Sequence, residues 1–426
     1  MKRVVILCVW LFSVVAGHAQ LSLDECRRLA RENYPEIRQY DLVHQTEQYN
    51  LSNAARAWIP QLAFFAQATW QTDAPNFPKE LTGMLAQQGL EIPGLRKDQY
   101  KVALELNQTI WDGGKSVADK RIARAEAAEQ KTMTDVDLYE LEGRVDDLYF
   151  GILLLDERIA QTNLTLNLLR SNLEKVRALQ RNGVAMQSDA DVLEAELLSV
   201  GQQLIQFESS CDSYRRMLGI FIGQKVGDRK LLRPSAVQPL SGESARPELA
   251  MFAAKIDRLM AQEKMVKSSS MPRLGFFAQG YYGYPGLDYM QSMMNSDWSW
   301  NAMLGVKLSW NFGAYYTQKN NLNKLRTSRQ QVEVQRDVFL FNMNLQAAQE
   351  NGDIARLRKA IADDDRIVAL RRSVREAAES KLRNGIIDTH DLLSKITDES
   401  TASMARSMRE IELLKAIYEY KHTINR

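Results

Sequence analysis

The sequence predicts an α+β membrane protein: four strands per chain set between very long helices, arranged as an internal two-fold sequence repeat. Three observations carry this. Motifs recur in the same order along the chain, the short segments inside each copy alternate apolar and polar residues, and the segments after them hold a helical apolar period over dozens of residues.

The repeat comes first. Tyr34-Pro35-Glu36-Ile37 returns as Arg246-Pro247-Glu248-Leu249, and Pro60 to Gln67 returns at the same offset as Pro272 to Gln279. Arg181-Asn182-Gly183-Val184 returns as Arg383-Asn384-Gly385-Ile386. The expected organisation is a first copy over 20–223, a Pro- and Gly-bearing connector over 224–246 and a second copy over 247–426. Ahead of these, Lys2 and Arg3 precede an apolar run from Val4 to Ala16 and the small-residue site Gly17-His18-Ala19. That order marks a secretory signal peptide over 1–19, cleaved after Ala19, and no Cys follows the cut to carry a lipid.

Composition narrows the roles open to an exported chain. Without Lys2 and Arg3 the 55 basic residues balance the 53 acidic ones, which excludes an electrostatic footprint for nucleic acid. Cys8 leaves with the signal; Cys26 and Cys211 remain, and Cys211 sits on an apolar helical stripe where a free buried thiol is expected. No apolar run of about 18 residues follows the signal, so a membrane-spanning part of this chain has to be a β-barrel.

Strands are expected at about 62–71, 101–111, 274–283 and 299–312. In the last, Trp298, Trp300, Ala302, Leu304, Val306, Leu308, Trp310 and Phe312 alternate with Ser299, Asn301, Gly305, Lys307, Ser309 and Asn311. Such segments have the length of a tilted membrane strand, with aromatics near their ends, although a soluble sandwich alternates in the same way. On the membrane reading Leu304→Arg is costly and Asn301→Arg is accepted.

The helices are expected as hairpins over 115–222 and 314–424. Leu138, Leu141, Val145, Leu148, Ile152, Leu155 and Ile159 recur at spacings of three and four, and Leu166, Leu169, Leu173 and Val176 resume the register beyond Thr162. Val334, Val338, Phe341 and Leu345 obey the same rule in the second copy. A sustained period near 3.5 means supercoiled, packed helices, and off-register Leu153, Leu154, Leu164 and Leu168 add a second seam, so a wall of helices is expected. From Lys115 to Arg181 there is no proline; at 1.5 Å per residue that helix spans roughly 100 Å.

Four strands cannot enclose a passage, since about eight are the practical minimum, and an open sheet edge in hydrocarbon costs several kcal/mol per unpaired group. Membrane strands in this chain therefore require copies to pool them. Two copies give a filled barrel; three begin to leave a channel.

Leu21-Ser22-Leu23-Asp24-Glu25-Cys26 with Ala30, Asn33 and Pro35-Glu36 resembles the opening of TolC-like outer-membrane efflux proteins. Trp111-Asp112-Gly113-Gly114 resembles that family's strand-to-helix junction, and the hairpins turning at Arg-Asn-Gly, with Asp191-Val192-Leu193 and Asp391-Leu392-Leu393 beyond, resemble its helical tips. The resemblance covers about residues 21–423. It implies a homotrimer with a twelve-stranded barrel in outer-membrane lipid, continued by a long α-helical barrel in the periplasm. It also implies an efflux channel that receives cargo from a periplasmic adaptor and an inner-membrane pump, with no cofactor.

The resemblance also implies site residues. Asp391 matches the first of the acids that close the family's tunnel, but Ser394 stands at the second and Ile387 at the position of the bracing basic residue. Asp391, Asp189 and Asp191 are the candidate periplasmic constriction; a ring of Asp391 copies favours cations, and the competing reading is that these carboxylates, with Ser188, cap helices. Arg181, Asn182, Gly183, Arg383, Asn384 and Gly385 are candidate adaptor-docking tips, with Gly183 and Gly385 also expected as helix C-caps. Pro60, Gly113, Gly114, Pro272 and Gly313 are the expected strand–helix junctions.

Catalysis has little basis. His44, His390 and His422 lack metal-ligand spacing, and no phosphate loop, dinucleotide fingerprint or nucleophile elbow occurs. A trimeric coiled-coil adhesin explains the heptads but leaves the four inserted strands unexplained; a periplasmic adaptor needs one hairpin, and this chain has two. The cargo stays open among drugs, metal ions, metabolites and proteins.

Overall fold

The structure is a computed structural model that describes residues 20–89, 92–235, 244–384 and 386–425. The signal peptide, Gly385 and part of the connector lie outside the described residues. The chain forms two compact units.

One unit comprises 41–131 and 251–334. Its centre is an antiparallel sheet in the order β1 (Gln61–Trp70), β2 (Asp98–Trp111), β3 (Arg273–Tyr284), β4 (Ser299–Ser309). Register assigns the faces. Phe64 lies opposite Leu104, Val102 opposite Tyr282, Tyr282 opposite Trp300, and Ala278 opposite Leu304, so apolar residues share one face across all four strands. Lys101, Glu105, Gln279 and Asn301 share the other. The apolar face is uncovered: Trp300 is 82% and Leu304 76% exposed. A soluble sandwich buries that face against a second sheet.

Two strand limits differ from expectation. β2 starts at Asp98 because the antiparallel register carries pairing up to Trp70. β4 stops at Ser309 rather than Phe312 because Asn311 folds back, its Oδ1 accepting the Gly313 N–H at 3.0 Å. The strand-connecting loops hold two short helices that alternation does not foretell, α3 (Lys79–Gln87) and α7 (Tyr289–Met294), the latter capped by Asp288. Here α1 is Leu23–Asn33, α2 Gln39–Arg56, α4 Lys115–Arg181, α5 Gln187–Ile222, α6 Pro247–Ser268, α8 Ala314–Arg383 and α9 Thr389–Ile424.

The other unit comprises 20–40, 132–250 and 335–425 of the described chain. The α4 stripe forms its core. Leu138, Leu141, Val145 and Ile152 pack with Cys26 and Ala30 of α1 and Leu218 of α5. Farther along, Leu166, Leu169, Leu173 and Val176 pack with Leu193 of α5 and Leu392 and Ile396 of α9. Each such buried side chain contributes about 1.5–3 kcal/mol. The matching α8 stripe has no such cover: Val338, Phe341 and Leu345 are exposed.

Several charged groups inside this unit are paired. Arg27 of α1 binds Asp146 of α4, and Arg409 of α9 binds buried Asp364 of α8. Both cysteines are free and buried, and burial pushes the Cys26 thiol up to about 12. His422 stacks on Tyr139 with ring centroids 4.1 Å apart, and burial lowers its pKa to about 4, which keeps it neutral at pH 7.

Candidate functional site

Each hairpin tip turns on backbone hydrogen bonds at the end of its long helix. In the first, the Gly183 N–H donates to Gln180 O at 2.9 Å and the Val184 N–H reaches Leu179 O at 2.9 Å. This is the paired bonding of a Schellman end, and it places Gly183 at φ +75°, where a side chain is strained. In the second, the Asn384 N–H donates to Lys381 O at 3.2 Å and the Ile386 N–H to Lys381 O at 3.0 Å. Arg181, Asn182, Arg383 and Asn384 are exposed at these ends, and Val184, Met186 and Ile386 are exposed apolar residues just beyond.

The three candidate carboxylates sit on the first turns of α5 and α9 in different roles. Asp189 Oδ2 accepts the Met186 N–H at 2.8 Å, a capping bond. Asp191 accepts from the Gln187 side chain at 2.7 Å. Asp391 caps nothing with its side chain; its N–H donates to Asp388 Oδ1 at 2.8 Å, which makes Asp388 the N-cap of α9. Asp391 is exposed while its neighbours Thr389 and Leu392 are buried, and among the described residues its carboxylate accepts no hydrogen bond and joins no ion pair. Among the described residues, no hydrogen bond or ion pair joins these three carboxylates to one another.

Behind the tips lies a charge network that the sequence did not disclose. Lys175 of α4 reaches Glu379 of α8 at 3.3 Å, Glu379 binds Arg375 at 2.5 Å, and Arg375 binds Glu399 of α9. Arg372 joins Glu399 at 3.2 Å, and Arg371 joins Asp398 at 2.8 Å. Burial pushes the Glu379 carboxyl up, but Arg375 and Lys175 outweigh it and hold its pKa below the ordinary value. The available signal was Arg375 four residues before Glu379, a helical ion-pair spacing.

In the sheet-bearing unit, Asp112 stands beside Gly113 and Gly114 at the first strand–helix junction. Asp112 ends β2 and caps α4, accepting from the Gly114 N–H at 2.9 Å and the Ser116 N–H at 2.7 Å. Burial raises its pKa, and the hydrogen bonds from Ser116 and Gly114 outweigh that and leave it lowered. Gly113 and Gly114 stand at φ +71° and +84°. A Cβ on Gly113 would fall 2.7 Å from Met271 Cβ and 3.1 Å from Pro272 O, so backbone segments meet there. At the second junction Asn311 takes the place of Asp112, Trp310 Nε1 donates to Ser270 O at 3.0 Å, and Gly313 is not left-handed. Pro60 and Pro272 immediately precede β1 and β3, where a missing N–H costs no ladder bond.

The described chain is mostly helical, with four antiparallel strands, one uncovered apolar sheet face and two long hairpins. Residues 27–223 match the family of outer membrane efflux proteins. The fold agrees over nearly the whole chain. The outer-membrane channel OprN is 14% identical with a TM-score of 0.69, covering 94% of this chain and 89% of that one. The outer membrane protein VceC from Vibrio cholerae is 15% identical with a TM-score of 0.65, covering 94% and 95%. The Campylobacter jejuni CmeC outer membrane channel is 14% identical with a TM-score of 0.66, covering 94% and 85%. No curated protein sequence matches. The likeness to TolC-like outer membrane efflux proteins that the motifs carry thus extends to the fold.

Proposed function

We propose that this chain is one of three identical subunits of an outer-membrane efflux channel, a twelve-stranded barrel continued by a barrel of α4, α5, α8 and α9. The observation that carries the reading is the four-stranded sheet with one uncovered apolar face and unpaired outer edges on β1 and β4. In hydrocarbon such a sheet is stable only when closed, and four strands close only by pooling with copies. The uncovered α8 stripe at Val338, Phe341 and Leu345 supports copies packing in the helical part as well. On this reading the element order from α1 to α5 and from α6 to α9 reflects one duplicated unit, and the helical part stands in the periplasm.

The tips receive cargo from an adaptor and an inner-membrane pump. Exposed Val184, Met186 and Ile386 beside Arg181, Asn182, Gly183, Arg383 and Asn384 support an apolar contact framed by polar groups. The free Asp391 carboxylate supports a cation-favouring constriction at the same end. Chemistry at this channel is passage rather than bond-making: width, lining and charge select what moves.

Planar-bilayer recording of detergent-purified protein tests the reading. Discrete conductance steps, with cation selectivity reduced in Asp391→Ala, are expected. A protein that stays soluble and monomeric without detergent, and conducts nothing, sinks it.

A further inference from the structure

The polar face of the sheet carries four charged side chains, Lys101, Glu105, Arg273 and Lys307. Two of them are satisfied through one neighbour. Lys101 donates to Gln279 Oε1 at 2.8 Å and lies 4.4 Å from the Tyr281 ring centroid, while Glu105 accepts from Gln279 at 3.2 Å and from Asn107 at 2.7 Å. Arg273 and Lys307 are different. Arg273 lies opposite Ser309, and Lys307 lies opposite Gly275, which makes the two cations diagonal neighbours on the same face at the end leading into α4 and α8. Among the described residues neither forms an ion pair or a side-chain hydrogen bond, and both are exposed.

Both line a cavity of about 450 Å³ that also includes Asn107, Thr109 and the first turn of α4. The carboxylates within it are committed elsewhere. Asp119 is paired with Lys115 at 3.2 Å, and Asp112 accepts the backbone N–H groups of Gly114 and Ser116. Three cations, Lys115, Arg273 and Lys307, line the cavity against the two carboxylates, so its net charge is positive. Gly275, opposite Lys307 and two residues along β3 from Arg273, adds no side chain to fill the space, and a Cβ there would press on Gln108 O at 3.3 Å.

We propose that Arg273 and Lys307 form an anion-binding collar at the helical end of the barrel lumen, with carboxylate or phosphate groups of passing solutes as its ligands. The collar rests on the channel reading, because only closure of the barrel turns the polar face into a lumen. Arg presents a fork that matches a carboxylate or phosphate, and an adjacent Lys adds a point charge. Three copies would place six cations around one opening, where low-dielectric walls strengthen their field.

The test is single-channel recording of the full protein, with inorganic pyrophosphate added on the hairpin side. Pyrophosphate is expected to interrupt the wild-type current, less so at high salt. In Arg273→Gln/Lys307→Gln the concentration for half block rises roughly tenfold or more, and reversal potential in a KCl gradient moves toward cation preference. If the double variant fails to assemble, Lys307→Gln alone, at an exposed unpaired residue, carries a several-fold part of that change. A conducting variant with unaltered block and reversal potential overturns the collar. A wild type without conductance overturns the channel reading instead.

Discussion

Gly113 and Gly114 stand side by side at the end of β2, both at positive φ, yet a side chain would meet different surroundings at each. Beyond the strain of its φ, Gly113→Ala drives Cβ into Met271 and the Pro272 carbonyl, whereas nothing lies within 4 Å of a Cβ on Gly114. Gly113→Ala is expected to cost about 1–3 kcal/mol and Gly114→Ala about 1 kcal/mol, read as a larger loss of thermal stability in the first. The first turn of α9 offers a second contrast. Asp388→Ala removes the N-cap and should lower stability by about 1 kcal/mol, while Asp391→Ala leaves stability unchanged and alters ion selectivity. Equal thermal shifts would remove the distinction. The motif match points to Asp391 and not to Asp388, because a cap is legible only once the helix start is fixed to the residue.

Among the elements, β4 and α8 differ most in how their residues could be read. The faces of β4 were legible from alternation, and Leu304→Arg on its uncovered apolar face is expected to cost roughly 2–4 kcal/mol at the bilayer midplane. Asn301 is not the neutral control that alternation implied. Its side chain accepts the Leu287 N–H at 2.7 Å and donates to Ser299, so it anchors the loop after β3. Ala63→Arg is the better control, since Ala63 lies on the polar face opposite Glu105 and should assemble normally; comparable assembly of both variants in detergent would count against the membrane assignment. For α8, length was legible because no proline interrupts it, whereas the Arg375–Glu379–Lys175 network depends on α4 and α9 packing against it, which spacing along one helix does not reveal. Because the Glu379 pKa is depressed on folding, its contribution is full above its unfolded value near 4.5 and is lost as pH falls through the lower folded value. Wild-type stability is therefore expected to drop below about pH 4.5 more steeply than that of Glu379→Gln, as monitored by urea unfolding; parallel profiles would exclude the network as the source.

For the molecule as a whole, the four strands and long hairpins emerged from patterning alone, but α3 and α7 did not, because helices of nine and six residues are too short to display a period. Patterning was also silent on which stripes this chain buries for itself. The α4 stripe is covered by α1, α5 and α9, and the α8 stripe, with the same spacing, is left open, Phe341 being 63% exposed. If copies pack as proposed, Val338→Glu/Phe341→Glu is expected to leave helix content by circular dichroism unchanged while shifting detergent-solubilised protein from trimer toward monomer in light scattering. Retention of the trimer would assign that stripe to some other contact.

The open edges of β1 and β4 carry a consequence for the life of a newly exported chain. Each edge is a template for any unpaired strand, so in the proposed trimer a newly exported chain is adhesive until two sisters arrive. Its survival then depends on encounter frequency. Surplus subunits become clients of holding chaperones or substrates of proteases, and the amount of mature protein should rise more steeply than linearly with synthesis rate.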